Sequence, residues 1–577
     1  MKKRWKVNPP DKKLQDTLSK ELGILPLTAQ LLINRGLVDK DKAFSFLSPS
    51  LKSLSDPFTM KGMTEATERI GSAIINREKI AIYGDYDVDG TTAAALLYLF
   101  FKEIGLDKTI YYIPSRLEEG YGLNTTAIEK LSSDKVGLII TVDCGISDVE
   151  AVEYASTLGI DCIITDHHEP VKVFPKAVSI LNPKQEGCDF PFKGLAGVGV
   201  AFNLAVAVRS KLRKDGYFST DKKRQEPNLK RYLDLVSIGT VADMVPLEGD
   251  NRILVSIGLK ELRYTTRIGL RALMDKALRG KAVGSDDVAF TIAPRINAAG
   301  RLGSAENALK LLISEDITEA DALAHRLESY NTSRRTLEDK TLKEALSLLD
   351  ATEGTENDRA IVLAGEGWHP GVIGIVASRL IERFNKPTVM IAVNDGIGKG
   401  SVRGVKGIDV LSGIVNSAHL LSRFGGHKAA AGLTIEEKNI ETFKAEFLSF
   451  MNSAVRDVDL LPLIKIDEEI LLDEVNEGLI SEIDTLSPFG VSNPRPLLYS
   501  SGVQIINSEV VGEKHLKLKI KQTGRLLDCI AFGMGEKKKY KGCGFEVAFY
   551  PVLEEWRGVH TLKLRVKDIR PEAKGKL

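Results

Sequence analysis

The sequence predicts an α/β protein in which a parallel-sheet domain is joined by a long helix to a second α/β unit, with a small β-barrel at the C-terminal end. Three observations carry this. Short apolar runs at 80–83, 109–113, 138–142 and 162–165 alternate with helical segments, the pattern of βαβ units in a parallel sheet. Residues 317–349 place apolar side chains at helical spacing in a charged context without Gly or Pro, which predicts one long helix. Beyond Leu461 short strand-like segments dominate, ending in 561–567, which predicts the barrel.

Taken in order, residues 1–75 read as an N-terminal helical extension, with amphipathic helices at 14–22 and 26–35 and a Ser/Pro-rich loop at 48–57. Residues 76–316 form the parallel-sheet domain and 317–350 the connecting helix. A polar linker opens the second α/β unit, 351–456, and the barrel occupies 457–577. A chain of 577 residues holds several domains of this kind. Its 43% hydrophobic and 27% charged content predicts folding throughout. The longest uncharged apolar stretch, 194–208, is too short and glycine-rich for a membrane span. The basic start has no apolar core or cleavage site behind it, so a cytoplasmic location is expected. Five cysteines without C-x-x-C spacing predict neither a disulfide framework nor a zinc site. With 79 basic against 78 acidic residues, a polyanion would have to be held by local patches.

Three of the four apolar runs end in acid: Asp85, Asp87 and Asp89 after the first, Asp143 after the third, and Asp166-His167-His168 after the fourth. Carboxyl ends of parallel strands share one sheet edge, where ligands bind, and alternate residues of an extended segment face the same way. So many carboxylates repel one another unless divalent cations neutralise them. Oxygen and imidazole donors without thiolate favour Mn²⁺ or Mg²⁺. Asp234 and Asp243 also lie in apolar surroundings where a bare charge is costly. An EF-hand reading of 85–96 fails because Leu96 stands where a bidentate Glu belongs. A phosphatase reading of Asp87-Val-Asp89-Gly90-Thr91 lacks the later Gly-Asp-x-x-x-Asp it needs, and no Walker A sequence is present. A single acid after a strand is more often a cap or a solvated turn; several such segments together are not. In the second α/β unit, Gly400-Ser401-Val402-Arg403 and Gly425-Gly426-His427 combine small residues with cations, as a phosphate site does, the alternative being a surface turn.

Asp87-Val-Asp89, Asp143, Asp166-His167-His168 and Asp234 resemble the four motifs of the DHH phosphoesterase family, and 425–432 resembles the glycine-rich motif of its companion DHHA1 domain. Residues 294–301, 487–490 and 493–496 are similar to those of the family's single-strand-specific 5′-to-3′ DNA exonucleases, and the likeness runs from about residue 80 to the end. It implies a DHH domain, a DHHA1 domain and an OB-type barrel. It implies two divalent ions, Mn²⁺ or Mg²⁺, bridged by Asp143, with Asp87 on one and Asp89, His167 and Asp234 on the other. His168 would contact the scissile phosphate, so Asp143, Asp166 and His168 form the catalytic set. Where some relatives carry a histidine this chain has Tyr83, leaving Asp85 or water to complete the first ion's shell. Ser492 stands where the family has glycine. Arg116, Arg295, Arg301, Ser401 and Arg403 are the candidates for a 5′-phosphate pocket, with His427 as a further substrate contact.

The implied function is two-metal hydrolysis of single-stranded DNA from a 5′ end, in DNA repair and recombination, with a single-strand DNA-binding protein and a helicase as expected partners and no membrane. The alternatives are a DHH-type oligonucleotide phosphodiesterase, disfavoured by the added barrel, and a non-catalytic nucleic-acid-binding relative, disfavoured by the full set of acids. Residues 511–577 carry 16 Lys and Arg against 8 Asp and Glu, a net +8, whereas 461–510 carry 2 against 9, a net −7. Lys514, His515, Lys517 and Lys519 alternate with Leu516, Leu518 and Ile520, which predicts a cationic strand face for tracking single strands. Phe532, Tyr540 and Trp556 are candidates for base stacking or for the core.

Overall fold

Every residue of Ile80–Gly84 and of Leu138–Val142 is buried, as strands covered on both faces require. They form the centre of a five-stranded parallel sheet in the order Ile110–Tyr112, Ile80–Gly84, Leu138–Val142, Asp161–Thr165, Ser179–Leu181. The computed structural model describes residues 3–116, 118–219, 224–351, 357–556 and 559–572, the side chains of 555, 556 and 559 excepted; Trp556, a stacking candidate, lies outside the described side chains. The fifth strand lies outside the four apolar runs of the sequence.

The chain divides into a larger unit, Trp5–Pro114 with Tyr121–Ala293 and Lys465–Leu577, and a smaller one, Met1–Arg4 with Ser115–Gly120 and Pro294–Ile464. In the larger unit, three helices that are buried along most of their length, Val88–Glu103, Gly197–Lys214 and Leu233–Ala242, pack on one another. A helix apolar nearly all round must be enclosed, and these enclose each other. Helices Thr125–Ser133 and Val149–Thr157 contribute Ile128, Leu131, Val152 and Ala155 to a cluster with Ile139 and Ile164 of the sheet.

The barrel closes through five strands: Leu498–Val511 pairs with His515–Gln522, then Arg525–Ala531, Val559–Pro571 and Gly542–Trp556, which returns to the first. Leu516, Leu518 and Ile520 face its interior and Lys517, Lys519 and Lys521 face solvent, as the alternation predicts. Lys514 belongs to the preceding turn. Phe532 is exposed, whereas Tyr540 packs against the barrel core. That core also takes in Leu31, Leu32 and Ala43 of the N-terminal helices.

In the smaller unit the long helix spans Ile317–Ala351, 35 residues. Its sheet runs Leu421–His427, Ala430–Glu436, Ile397–Arg403, Thr388–Asn394, Ile361–Glu366, parallel only between the last two, which the helix Pro370–Phe384 connects. Among the described residues no helix is long and apolar enough to cross a membrane.

Candidate active site

The parallel sheet changes direction of growth at its second strand: the chain leaves Ile80–Gly84 for one side and then returns to add Leu138–Val142 on the other. Loops part at such a point and leave a crevice at the carboxyl ends of the strands. Asp85, Asp143 and Asp166 each follow a strand directly, and each still donates its backbone N–H to the neighbouring strand end, to Val142, Thr165 and Leu181. Asp143 adopts a left-handed backbone, φ 62°, that few residues other than Gly, Asn and Asp tolerate.

Asp87 caps the helix Val88–Glu103, its Oδ1 accepting from Gly90 N at 3.1 Å. Two residues on, the buried Asp89 carboxylate accepts from Gly197 N at 2.6 Å and Val198 N at 2.8 Å, donors that a second helix N-terminus leaves without intrahelical partners. A Cβ at Gly197 would lie 2.7 Å from Asp143, so only glycine lets that helix approach so closely. His167 Nε2 lies 3.1 Å from Asp143 Oδ1, 3.5 Å from Asp243 Oδ2 and 3.9 Å from Asp89 Oδ2. His167 Nε2, Asp143 Oδ1 and Asp243 Oδ2 are buried atoms with no hydrogen-bond partner. Buried polar atoms are normally paired, so three unpaired donors of electron density converging on one place fit a cation. Ligand atoms of Asp85, Asp87 and Asp143 also lie within 4.8 Å of one another, as do those of Asp89, His167 and Asp243 and those of Asp143, His167 and His168. Asp143 and His167 each belong to two of these sets.

The electrostatics fit the same ion type. Burial, then Asp89 and Asp87, raises the Asp143 carboxyl well above its usual value. Burial and Asp87 raise Asp89 to about 7, and burial with Asp89 and Asp87 raises Asp243 to about 9. Burial and His168 lower His167 to about 3, so its imidazole is a neutral nitrogen donor. These are the costs that an oxygen- and nitrogen-bound divalent cation removes. Asp166 differs. Burial alone would raise it, but His168 and backbone N–H groups outweigh burial and hold it below the usual carboxylate range. Its Oδ1 accepts from His167 N, His168 N and His168 Nδ1 at 2.7, 3.1 and 2.7 Å, and its Oδ2 from Ile146 N at 3.0 Å. Asp166 therefore fixes the His168 ring and the backbone of both histidines, and it has no place in the ligand sets.

One expected ligand is elsewhere. Asp234 accepts from Thr265 Oγ1 at 2.7 Å and from Arg267 Nε at 3.0 Å, a buried pairing that satisfies its charge. It stands in the first turn of the helix Leu233–Ala242, and Asp243 caps the other end. Nine residues at 1.5 Å each separate them by roughly 13 Å, too far for one site. Asp243, not Asp234, lies with Asp89 and His167. The sequence carried a signal: an acid is favoured at a helix N-terminus and disfavoured at the C-terminus, so Asp243 needed a reason beyond capping. The Tyr83 side chain is engaged away from the ligand sets. Its hydroxyl donates to Gly122 O at 2.9 Å and its buried ring stacks on Tyr112 at 5.3 Å.

In the smaller unit, Ser401 and Arg403 alternate along one strand and so share a sheet face. Gly432 lies opposite Ser401, Gly425 opposite Gly432, and His427 ends the same strand as Gly425, making a floor of small residues between Arg403 and His427. Arg403 Nη1 donates to Ser401 Oγ at 3.1 Å. A Cβ on Gly374, in the first turns of Pro370–Phe384, would come within 2.8 Å of Ser401 Oγ and 2.9 Å of Arg403 Nη2. Burial and the neighbouring Arg116 lower the Arg403 guanidinium. Arg301 donates to the Gly371 carbonyl at 2.9 Å, beneath the start of that helix. Arg295 does not join them in these contacts: it is buried and paired with Glu328 of the long helix.

Family models match along most of this architecture: the DHH family N-terminal domain over residues 79–240, the DHHA1 domain over 357–453 and the RecJ OB domain over 466–568. The chain is 36% identical over 576 residues to the single-stranded-DNA-specific exonuclease RecJ of Bacillus subtilis (strain 168), covering 98% of this chain and 71% of that protein. It is similar to the crystal structure of RecJ in complex with Mn²⁺ from Thermus thermophilus, with TM-score 0.85 and 31% identity over 99% of this chain and 80% of that one. The Mg²⁺ complex of RecJ from the same organism gives TM-score 0.79 and 30% identity, covering 99% and 79%. With that identity spread over nearly its whole length, and with all three domain models in sequence, the chain belongs to the RecJ branch of the DHH family.

Proposed function

We propose that the chain is a metal-dependent exonuclease that hydrolyses single-stranded DNA from a 5′ end. The observation that carries this reading is the convergence of His167 Nε2, Asp143 Oδ1 and Asp243 Oδ2, buried and without partners, at the switch point of the sheet. Asp87, Asp89, Asp143, His167 and Asp243, with Asp85 beside them, would hold two divalent ions, Mn²⁺ or Mg²⁺. Bound there, the ions supply positive charge to the phosphodiester and lower the pKa of the attacking water. Asp143 belongs to two of the three ligand sets, so its one carboxylate could serve both ions. Asp166 holds the His168 ring by Nδ1 and favours its charged form, whose Nε2–H can donate to a phosphate oxygen. In the smaller unit, Arg116, Ser401, Arg403 and the start of the helix at Pro370 form a cationic site suited to a terminal 5′-phosphate, with Arg301 bracing Gly371 and His427 at its margin. The outward lysines of the barrel and the exposed Phe532, edge-on to His515 at 5.2 Å, provide a track for the strand behind.

Free single strands come from separated duplexes, so we infer a role in DNA repair and recombination, a cytoplasmic location, and a helicase and a single-strand DNA-binding protein as partners. The test uses end-labelled single strands with and without 5′-phosphate. Shortening from the 5′ end with Mn²⁺, none with EDTA, and a loss in Arg403→Ala that is roughly tenfold larger on phosphorylated ends support the reading. Shortening from the 3′ end overturns it.

A further inference from the structure

Tyr121 is assigned no part in the ligand sets, yet its hydroxyl reaches two of their members. Its Oη donates to the Asp143 carbonyl at 3.0 Å and lies 3.1 Å from His168 Nδ1, and the two rings meet edge to face at 5.7 Å. His168 Nδ1 is also 2.7 Å from Asp166 Oδ1. An ionised carboxylate only accepts, so the proton of that bond resides on Nδ1. The single hydroxyl proton of Tyr121 goes to the Asp143 carbonyl, so its oxygen lone pair faces the same Nδ1–H. His168 is thus gripped at one nitrogen from two sides, which fixes both the proton on Nδ1 and the ring plane.

The loop that carries Tyr121 is itself built. Gly122 has φ 85°, and a Cβ there would lie 2.5 Å from the Asp148 carboxylate, which accepts the next N–H, Leu123 N, at 2.7 Å. The Gly122 carbonyl accepts from Tyr83 Oη at 2.9 Å, and Asn124 Nδ2 donates to that Oη at 3.2 Å. The tyrosine that stands in place of a histidine thereby anchors the loop presenting Tyr121.

We propose that Tyr121 is a positioning residue for His168, holding Nδ1–H and the ring plane so that the Nε2 edge is presented to the substrate, and that Tyr83 acts behind it by holding Gly122. The proposal rests on the exonuclease reading for its rate effect but not for its structural one. Three measurements test it: steady-state turnover of a 5′-phosphorylated single strand with Mn²⁺, a double-mutant cycle with His168, and the ¹⁵N spectrum of the His168 imidazole in the holoprotein. Tyr121→Phe is expected to lower kcat about tenfold with KM within twofold of wild type, and to change the His168 Nδ1 resonance. In a His168→Ala background the same substitution should cost nothing further, because a residue acting through another loses its effect with it. Tyr83→Phe should give the same kind of loss, smaller in size. An unchanged kcat in Tyr121→Phe, a rise in KM alone, or an additive loss in the His168→Ala background overturns the proposal. If wild type itself fails to turn over, the exonuclease reading falls, and the ¹⁵N spectrum still decides whether Nδ1 carries the proton: a proton on Nε2 in place of Nδ1 overturns the proposal.

Discussion

Asp234 and Asp243 occupy the two ends of one helix, and the helix dipole gives them opposite circumstances. Asp243→Asn is expected to lower Mn²⁺ affinity and turnover by 100-fold or so, because a carboxamide cannot replace an anionic ligand. Asp234→Asn should leave turnover per folded molecule near wild type while costing about 3 kcal/mol, since it strands Arg267 beside a neutral group in a buried pair. Isothermal titration with Mn²⁺ and a urea melt separate the two; Mn²⁺ affinity lost in Asp234→Asn instead would reverse the assignment. The same residues set a pH dependence. Asp89 and Asp243 have folded-state values raised to about 7 and about 9, so without metal the folded protein binds more protons than the unfolded chain above pH 4 or so. Its stability therefore falls as pH rises. His167, lowered to about 3, acts in the opposite sense up to the unfolded imidazole value near 6.5. From pH 6.5 to 9 that opposition is gone, and His168, raised despite burial by its Asp166 partner, acts in the same sense as the carboxylates. In EDTA the melting temperature should fall across that window, and with Mn²⁺ the fall should shrink or reverse, because metal requires the deprotonated ligands. A melting temperature in EDTA that climbs with pH in that range would contradict the burial of these acids.

At the scale of elements, the segment at 487–496 shows why a family pattern has its residue types. Ser492, where the family pattern has glycine, has φ 62°, the left-handed region where a Cβ is costly. Around it, Asn493 donates to the Leu486 and Pro488 carbonyls at 2.8 Å each, and Arg35 of the N-terminal helices donates to Asn493 Oδ1 at 2.7 Å. The loop is thus a structural clamp at the barrel entrance. Relief of about 1 to 2 kcal/mol of left-handed strain outweighs the roughly 0.5 to 1 kcal/mol that glycine's freedom costs. Ser492→Gly should therefore raise stability by about 0.5 to 1 kcal/mol in a denaturant melt and leave turnover unchanged. A destabilised Ser492→Gly protein would mean that the serine side chain supports the loop.

Across the larger unit, the barrel and the N-terminal helices share one apolar core, with Leu31, Leu32 and Ala43 among Val503, Leu516 and Phe549. Arg252 ties the helix Gly249–Arg263 to both: it stacks on Phe46 at 3.5 Å and donates to the Phe46, Leu486 and Ser487 carbonyls at 2.8, 2.9 and 3.0 Å. Burial, then Arg35, lowers its guanidinium to about 9. Arg252→Met, which keeps bulk but removes every donor, should cost about 3 kcal/mol by leaving several buried carbonyls without partners. A loss below about 1 kcal/mol in a urea melt would show those carbonyls to be hydrated. Cutting off residues 457–577 would uncover the N-terminal helices as well, so the strand track is better probed at the surface. Lys517→Glu with Lys519→Glu should weaken binding to long single strands and flatten the salt dependence by roughly 0.7 per lost phosphate contact. An unchanged slope would assign the barrel some other role.

The sequence by itself determined the fold class and the sheet edge where the chemistry sits. Apolar runs fix which segments become buried strands, and the acids that follow them can only lie at the carboxyl ends. Asp85, Asp87, Asp89, Asp143 and His167 were legible for that reason, and the alternating lysines of His515–Gln522 through the two-residue period of a strand. Tertiary structure alone decided which acid of the helix Leu233–Ala242 faces the site, because both have apolar neighbours in sequence and only the partners Thr265 and Arg267, about thirty residues away, distinguish them. It also decided that Arg295 is taken by Glu328, that Tyr83 holds a loop, and that Tyr121 reaches His168. Each of these is a pairing between residues far apart in the chain. Periodicity and spacing report what a residue's own segment does; which distant partner satisfies a buried charge or hydroxyl is set only when the segments pack.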